Sequence, residues 1–314
     1  MKEGFFHAFL FPWGRDAISA ADLRDLAQAA EELGYASVQV PYHVTAPNIW
    51  VFERFAGNKN VLDPTVVLAT VASATRSIEI ATASIVAPLL KPYFWAKSLA
   101  TIDQLSEGRL IAGMCVGWWE EEFRIMGVDF EKRAALTDVG IPEIVRLWEG
   151  EAGSDGVSLF PLPCRKPRPP IWIGGGLPSL HRAAKWGEWF LGSSPSPEDI
   201  RNTFIPRYDK ARAATGRSPK FAITNYAAVT ENDAEYRDAY EEHSFLVGLR
   251  HPSGKPDAVT ILGTPERCAQ RIEEFVQAGV DGMVLDFQGH GMRSTADAIE
   301  QMKRFSQRVM PLVA

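Results

Sequence analysis

His43 lies in PYHVTAPNIW, a polar and aromatic stretch directly after the apolar run ASVQV. An imidazole there can give or take a proton near neutral pH, or hydrogen-bond a heteroatom of a ring. The competing reading is an ordinary surface-loop histidine. Gly174, Gly175 and Gly176 follow a second apolar run, in PIWIGGGLPSLHRAAKW. Backbone N–H groups exposed by glycines at the start of a helix suit an anion such as phosphate, and Ser179 adds a hydroxyl. A tight turn with positive φ would explain one glycine more readily than three.

Other residues carry weaker signals. In TASIVAP, strand alternation puts Thr82, Ser84 and Val86 on one face. Buried hydroxyls need partners, from a ligand edge or from neighbouring backbone. Cys115 lies inside the apolar run RLIAGMCV, where burial raises a thiol's pKa, so it reads as core. The consecutive Glu120, Glu121 and Glu122 point about 100° apart on a helix and do not converge on a metal; at least two of them serve the first turn's dipole. The chain contains no H-E-x-x-H, C-x-x-C or G-x-S-x-G.

The elements that must position these residues alternate. Strands are expected at 5–10, 36–40, 78–87, 109–116, 170–176, 188–192, 220–229 and 281–287. Between them lie helices at 20–34, 63–76, 92–108, 134–149, 178–187, 197–215, 233–249 and 264–279, with a closing helix at 294–308. Leu23, Leu26, Ala30 and Leu33 share one face of the first helix, and Thr264-Pro265-Glu266 reads as the start of another. About eight strand–helix units with continuously apolar strands predict a (β/α)8 TIM barrel, whose active site forms at the strand C-termini. A doubly wound sheet would want G-x-G-x-x-G after the first strand, and FPWGRD is not one. One barrel domain, 1–314, is expected, with insertions at 41–60, 150–170 and 233–263. The first two are read as shaping the substrate mouth.

Composition sets the remaining bounds. The 314 residues are 46% hydrophobic and 23% charged, with a net charge of −6. That balance favours neither nucleic acid nor an anionic membrane. No apolar run has the length of a membrane span, and the first residues read as a strand rather than a signal peptide. Cys115, Cys164 and Cys268 are scattered, which fits a reducing cytoplasm, and no metal site is expected.

Three segments carry a resemblance: PLLKPYFWAKSLATIDQLSEGRLIAGMCVGWWEEEF, PRPPIWIGGG with RAAKWGEWF behind it, and ILGTPERCAQRIEEFVQAGVDGMVL. Together they resemble the bacterial luciferase-like superfamily of flavin- and deazaflavin-dependent oxidoreductases, over nearly the whole chain. The resemblance implies a cofactor ring at the strand C-termini, backed by a non-prolyl cis peptide in the third strand, here placed at Ser84–Ile85. It implies that Gly174, Gly175 and Gly176 hold a phosphate and that His43 meets the ring or donates a proton. Small residues such as Gly117 would let the ring approach, while Trp13, Trp50, Trp118 and Trp119 line the substrate pocket. Cys115, where relatives have glycine, and Glu188-Trp189-Phe190, where they have Asp-Gly-Trp, depart from the pattern.

The resemblance leans to coenzyme F420, and so to hydride transfer with a small organic substrate; FMN with oxygen, the reduced flavin coming from a separate reductase, is the alternative. It also implies a homodimer. Two other classes compete. A cofactor-free lyase or hydrolase would need paired carboxylates or a lysine at strand ends, where only Asp286 and Glu188 come near. A non-catalytic flavin-binding barrel would bind cofactor without turnover.

Overall fold

The structure, a computed structural model, describes residues 4–10, 18–45, 61–250, 256–287 and 294–313. Strands β1 (Phe6–Phe9), β2 (Ser37–Val40), β3 (Glu79–Thr82), β5 (Leu110–Cys115), β6 (Ile171–Gly175), β7 (Trp189–Ser193), β8 (Lys220–Val229) and β10 (Gly282–Asp286) pair in parallel in that order. β10 then pairs with β1, which closes an eight-stranded parallel barrel. β4 (Ile85–Val86) resumes the third strand after an interruption, and β9 (Ile261–Gly263) pairs with the far end of β8.

The helices are α1 (Ala20–Glu32), α2 (Pro64–Ala74), α3 (Pro92–Leu105), α4 (Glu120–Ile125), α5 (Arg133–Trp148), α6 (Leu180–Trp186), α7 (Ile205–Thr215), α8 (Asp233–Arg250), α9 (Pro265–Gln277) and α10 (Thr295–Arg308). Their starts follow local chemistry. Ser19 and Asp22 form a capping box on α1, and Asp63 accepts the Thr65 and Val66 N–H groups ahead of α2 with Pro64 in its first turn. Thr264 caps α9 from its side chain, with Pro265 next.

One core lies between barrel and helices, anchored by Trp95, Trp148, Phe123, Phe221 and Phe275. A second fills the barrel, from Ala81, Ile111, Trp172, Leu191, Ala222 and Val284. Within it Trp172 and Trp189 stack at 4.7 Å, and His7 meets Trp172 edge-on at 5.1 Å. Burial pushes the His7 imidazole down to about 3, so it is neutral. Its Nδ1 lies 2.8 Å from Ser37 Oγ.

β8 outruns its neighbours. Lys220–Thr224 pairs with β7, Ala222–Tyr226 with β10, and Ala227–Val229 with β9. Beyond the end of β10, the Gln301 side-chain amide of α10 accepts the Val229 N–H at 3.0 Å and donates to the Val229 carbonyl at 3.3 Å.

The 150–170 segment runs along the outside of α3, where the Tyr93 hydroxyl in that helix's first turn donates to the Val157 carbonyl at 2.8 Å. It connects a helix to a strand, and in this barrel such connections lie at the N-terminal end of the strands. Its later residues lie toward that end: Gln104 of α3 donates to the Leu162 carbonyl at 2.7 Å, and the Arg165 N–H donates to Asp103 at 2.8 Å. Arg165 also pairs at 2.7 Å with Glu79, the first residue of β3. Arg168 pairs at 3.0 Å with Glu188, which immediately precedes β7, and Arg217 pairs with Glu188 at 3.3 Å. Glu188 also accepts the Ile171 N–H at 2.6 Å. It is therefore a structural carboxylate at the barrel's N-terminal end, opposite the C-terminal end of β10 where Asp286 lies. The carboxylate pair wanted by a lyase is not assembled.

Candidate functional site

Four adjacent strands, β2, β3, β5 and β6, carry the candidate residues at their C-terminal ends. The third strand is not continuous. Ala81 lies opposite Ile111, and the next pairing is Ile85 with Met114, so four steps on one strand match three on its neighbour. The extra residue makes a bulge, a device common beside active sites. The cis peptide is within it, between Ala83 and Ser84, one residue earlier than expected at Ser84–Ile85. The displacement has a clear origin: by Ile85 the chain has re-entered the ladder, and the Ile85 side chain is fully buried in the outer core. The bulge also ends the strict alternation assumed for Thr82, Ser84 and Val86. The Thr82 hydroxyl donates to the Gly113 carbonyl at 2.8 Å, and Val86 joins Ile85 in the outer core.

Glycines accommodate the bulge. A Cβ on Gly113 would lie 1.8 Å from the Thr82 carbonyl oxygen, so β5 comes closer here than any side chain permits. A Cβ on Gly174 would lie 2.7 Å from Ser84 Oγ. Ser84, Gly174 and Cys115 thus share one small-residue surface, with Cys115 Sγ 3.7 Å from the Ser84 carbonyl. Trp172, two residues before Gly174 on β6, belongs to the barrel core beneath that surface. Burial, with the Glu122 charge adding to it, pushes the half-buried Cys115 thiol up to about 12, which keeps it inert at neutral pH.

Gly175 has φ +141°, and a Cβ there would sit 2.6 Å from Ser179 Oγ. That conformation favours glycine. Gly176 precedes a single turn, Leu177–Ser179, and its carbonyl accepts the Ser179 N–H at 2.9 Å before α6 begins. The expected helix at 178–187 is therefore a 3-10 turn followed by a shorter α-helix.

His43 follows β2. Tyr42 before it is buried edge-on against Trp95 of α3 at 5.4 Å. His43 Nδ1 lies 3.3 Å from Glu122 Oε1, and the Val44 N–H donates to the same oxygen at 2.6 Å. The imidazole meets Trp118 and Trp119 edge-on at 5.9 and 6.3 Å. Gly117 lets α4 reach this position: its φ is +85°, and a Cβ would strike the Phe123 ring at 2.8 Å and Val86 at 2.5 Å. Glu120 and Glu121 are exposed at the start of α4, as a first-turn role requires, whereas Glu122 is only 1% exposed. Sequence reasoning passed over Glu122. The available signal was its place beside Phe123, where a helix turning inward carries the third glutamate with it. Trp13 and Trp50 lie outside the described residues.

The luciferase-like monooxygenase family model matches residues 1–282. The chain belongs to this family. An FMNH2-dependent dimethylsulfone monooxygenase of Pseudomonas fluorescens (strain Pf0-1) is 25% identical, over 92% of this chain and 86% of its own. Its counterpart from Pseudomonas putida is 24% identical, over 92% and 87%. Among solved structures, the monooxygenase RslO1 from Streptomyces bottropensis superposes with a TM-score of 0.80 at 22% identity, covering 99% of this chain and 100% of the other. An F420-dependent secondary alcohol dehydrogenase superposes with a TM-score of 0.79 at 20% identity, covering 100% of both. The protein is accordingly a luciferase-like oxidoreductase of the flavin or deazaflavin type. The expected preference for F420 over FMN finds no support in these comparisons.

Proposed function

We propose that the protein is a reduced-FMN monooxygenase, supplied with FMNH2 by a separate flavin reductase, that oxidises a small organic molecule with oxygen. The observation that carries this reading is that the two Pseudomonas relatives, each aligned along 92% of the chain, are named for FMNH2. Gly174 packs directly against the Ser84 side chain, a Cβ there lying 2.7 Å from Ser84 Oγ, so β6 and the bulge form one close-packed wall at the strand ends. Bound reduced FMN supplies the electrons that activate oxygen.

The chain supplies the rest. The Ala83–Ser84 bulge and Gly174 floor the ring, and the backbone at Gly175 and Gly176 with the Ser179 hydroxyl receives the phosphate. His43 moves a proton at the reacting end of the substrate. Trp119, half-buried, and Trp118, exposed at 59%, flank it on the side of the substrate.

The test is a fluorescence titration with oxidised and reduced FMN and F420, followed by oxygen uptake with a flavin reductase and dimethyl sulfone as the first substrate. Tight FMNH2 binding and substrate-dependent product formation are expected. Tight binding of F420 alone, with no oxygen consumed, overturns this reading in favour of hydride transfer.

A further inference from the structure

Glu122 has no part in the proposed cofactor site, yet it is one of the most buried carboxylates in the described structure, at 1% exposure. A buried carboxylate must be hydrogen-bonded, and its partners identify what it does. One oxygen, Oε1, receives the Val44 N–H at 2.6 Å and faces His43 Nδ1 at 3.3 Å. The first contact fixes the backbone one residue beyond His43. The second fixes the ring.

We propose that Glu122 is the positioning residue of His43: it holds the imidazole as the Nδ1–H tautomer and thereby makes Nε2 the nitrogen that exchanges a proton with the reactant. This rests on the reading of His43 as the proton-transfer group. The tautomer follows from elementary chemistry. An ionised carboxylate only accepts, so a lone pair on Nδ1 would face the lone pairs of Oε1, whereas an Nδ1–H donates to them. The backbone amide at Val44 can only donate, so it competes for the oxygen without reversing its role.

The surroundings restrict the alternatives. Trp118 and Trp119 meet the imidazole edge-on at 5.9 and 6.3 Å, and the buried Tyr42 anchors the chain just before it. Ring rotation would remove Nδ1 from its acceptor. The separation of 3.3 Å between Nδ1 and Oε1 is at the long end for a hydrogen bond. Active-site contacts are often long before a reactant is bound. A carboxylate that orients and polarises an imidazole from behind governs which nitrogen reacts without touching the reactant.

The test is long-range 1H–15N correlation on histidine-labelled full-length protein, with FMN bound, the His43 signal being assigned by its loss in His43→Asn. Wild type should show Nδ1 protonated and Nε2 pyridine-like. Glu122→Gln keeps the volume and, because the Val44 N–H and His43 Nδ1 face the same oxygen, keeps a neutral acceptor there but not the charge. It should leave Nδ1 protonated but lower kcat by about 10- to 100-fold, with KM and FMN affinity changed by less than about twofold, whereas Glu122→Leu, which removes the acceptor, should shift the signal toward the Nε2–H tautomer. Glu122→Asp, which keeps the charge one methylene short, should retain more of kcat than Glu122→Gln.

An Nε2–H signal in wild type overturns the proposal, and that measurement needs no variant to fold. A Glu122→Leu protein with an unmoved signal, or a Glu122→Gln protein with wild-type kcat, also overturns it. Equal losses of kcat, FMN affinity and thermal stability would make Glu122 a loop anchor only, through Val44. Unchanged turnover in His43→Ala would instead defeat the proton-transfer reading, while the tautomer signal still decides whether Glu122 sets the ring.

Discussion

Gly113→Ala tests the packing on which the site rests. The added methyl would lie 1.8 Å from the Thr82 carbonyl oxygen and 2.9 Å from its carbon. Both are backbone atoms, so no flexible side chain can swing away. Relief requires β5 or the bulge itself to move, and the Thr82 hydroxyl bond to the Gly113 carbonyl must distort with it. Overpacking a closed core costs about 1–3 kcal/mol, and a backbone clash belongs at or beyond the upper end, about 3 kcal/mol. Gly140→Ala provides the contrast. Gly140 lies inside α5, and a methyl there meets only Pro92 at 3.8 Å. Replacing a mid-helix glycine by alanine should stabilise by roughly 0.5–1 kcal/mol. Urea unfolding followed by tryptophan fluorescence should separate the two variants by about 4 kcal/mol. FMN affinity should fall in Gly113→Ala and hold in Gly140→Ala. A Gly113→Ala protein within about 0.5 kcal/mol of wild type, the range of an inconsequential substitution, would refute the claim that this glycine exists to admit the bulge.

The other predictions concern turnover, cofactor and acid stability. His43→Ala should lower kcat by about 10²- to 10⁴-fold with FMN still bound, measured by steady-state oxygen uptake; unchanged turnover removes its role. Gly175→Asp places a charge, on a residue strained by φ +141°, where the phosphate is proposed. FMN should then bind at least about tenfold more weakly by fluorescence titration, and unaltered affinity would remove the phosphate assignment. Glu31 is pushed up by burial, but the N–H groups of Ser77, Ile78 and Arg76 and the Ser77 hydroxyl outweigh this and hold its carboxyl down at about 2, from 4.5. A depressed carboxyl stabilises the fold above its unfolded value and loses that contribution as pH falls through the folded one. The Tm gap between wild type and Glu31→Gln should therefore be full above about pH 5 and close between there and about pH 2; a gap independent of pH would contradict the assignment.

Much of this was legible in the sequence, and the failures have physical causes. Strands buried on both faces leave continuous apolar runs, so the eight barrel strands and the Asp63 and Thr264 helix starts could be read directly. The bulge could not. IEIATASIVA alternates as a single strand would, and the extra residue exists only in its register against β5. Gly113, a small residue in the middle of an apolar run, was the sign that another backbone comes close. Glu122 was hidden by its neighbours, since three glutamates in a row look like one exposed helix start. Only packing distinguishes the one that turns inward.

The clasp of Gln301 on Val229 has a consequence for how the molecule meets other chains. A strand that outruns its neighbour on one side presents a bare donor and acceptor, a template onto which a foreign strand can add. At Val229 a side-chain amide occupies both groups in the manner of a pairing residue. The extension of β8 can thus stand beyond the barrel without offering that position for aggregation, because a helix supplies the last rung.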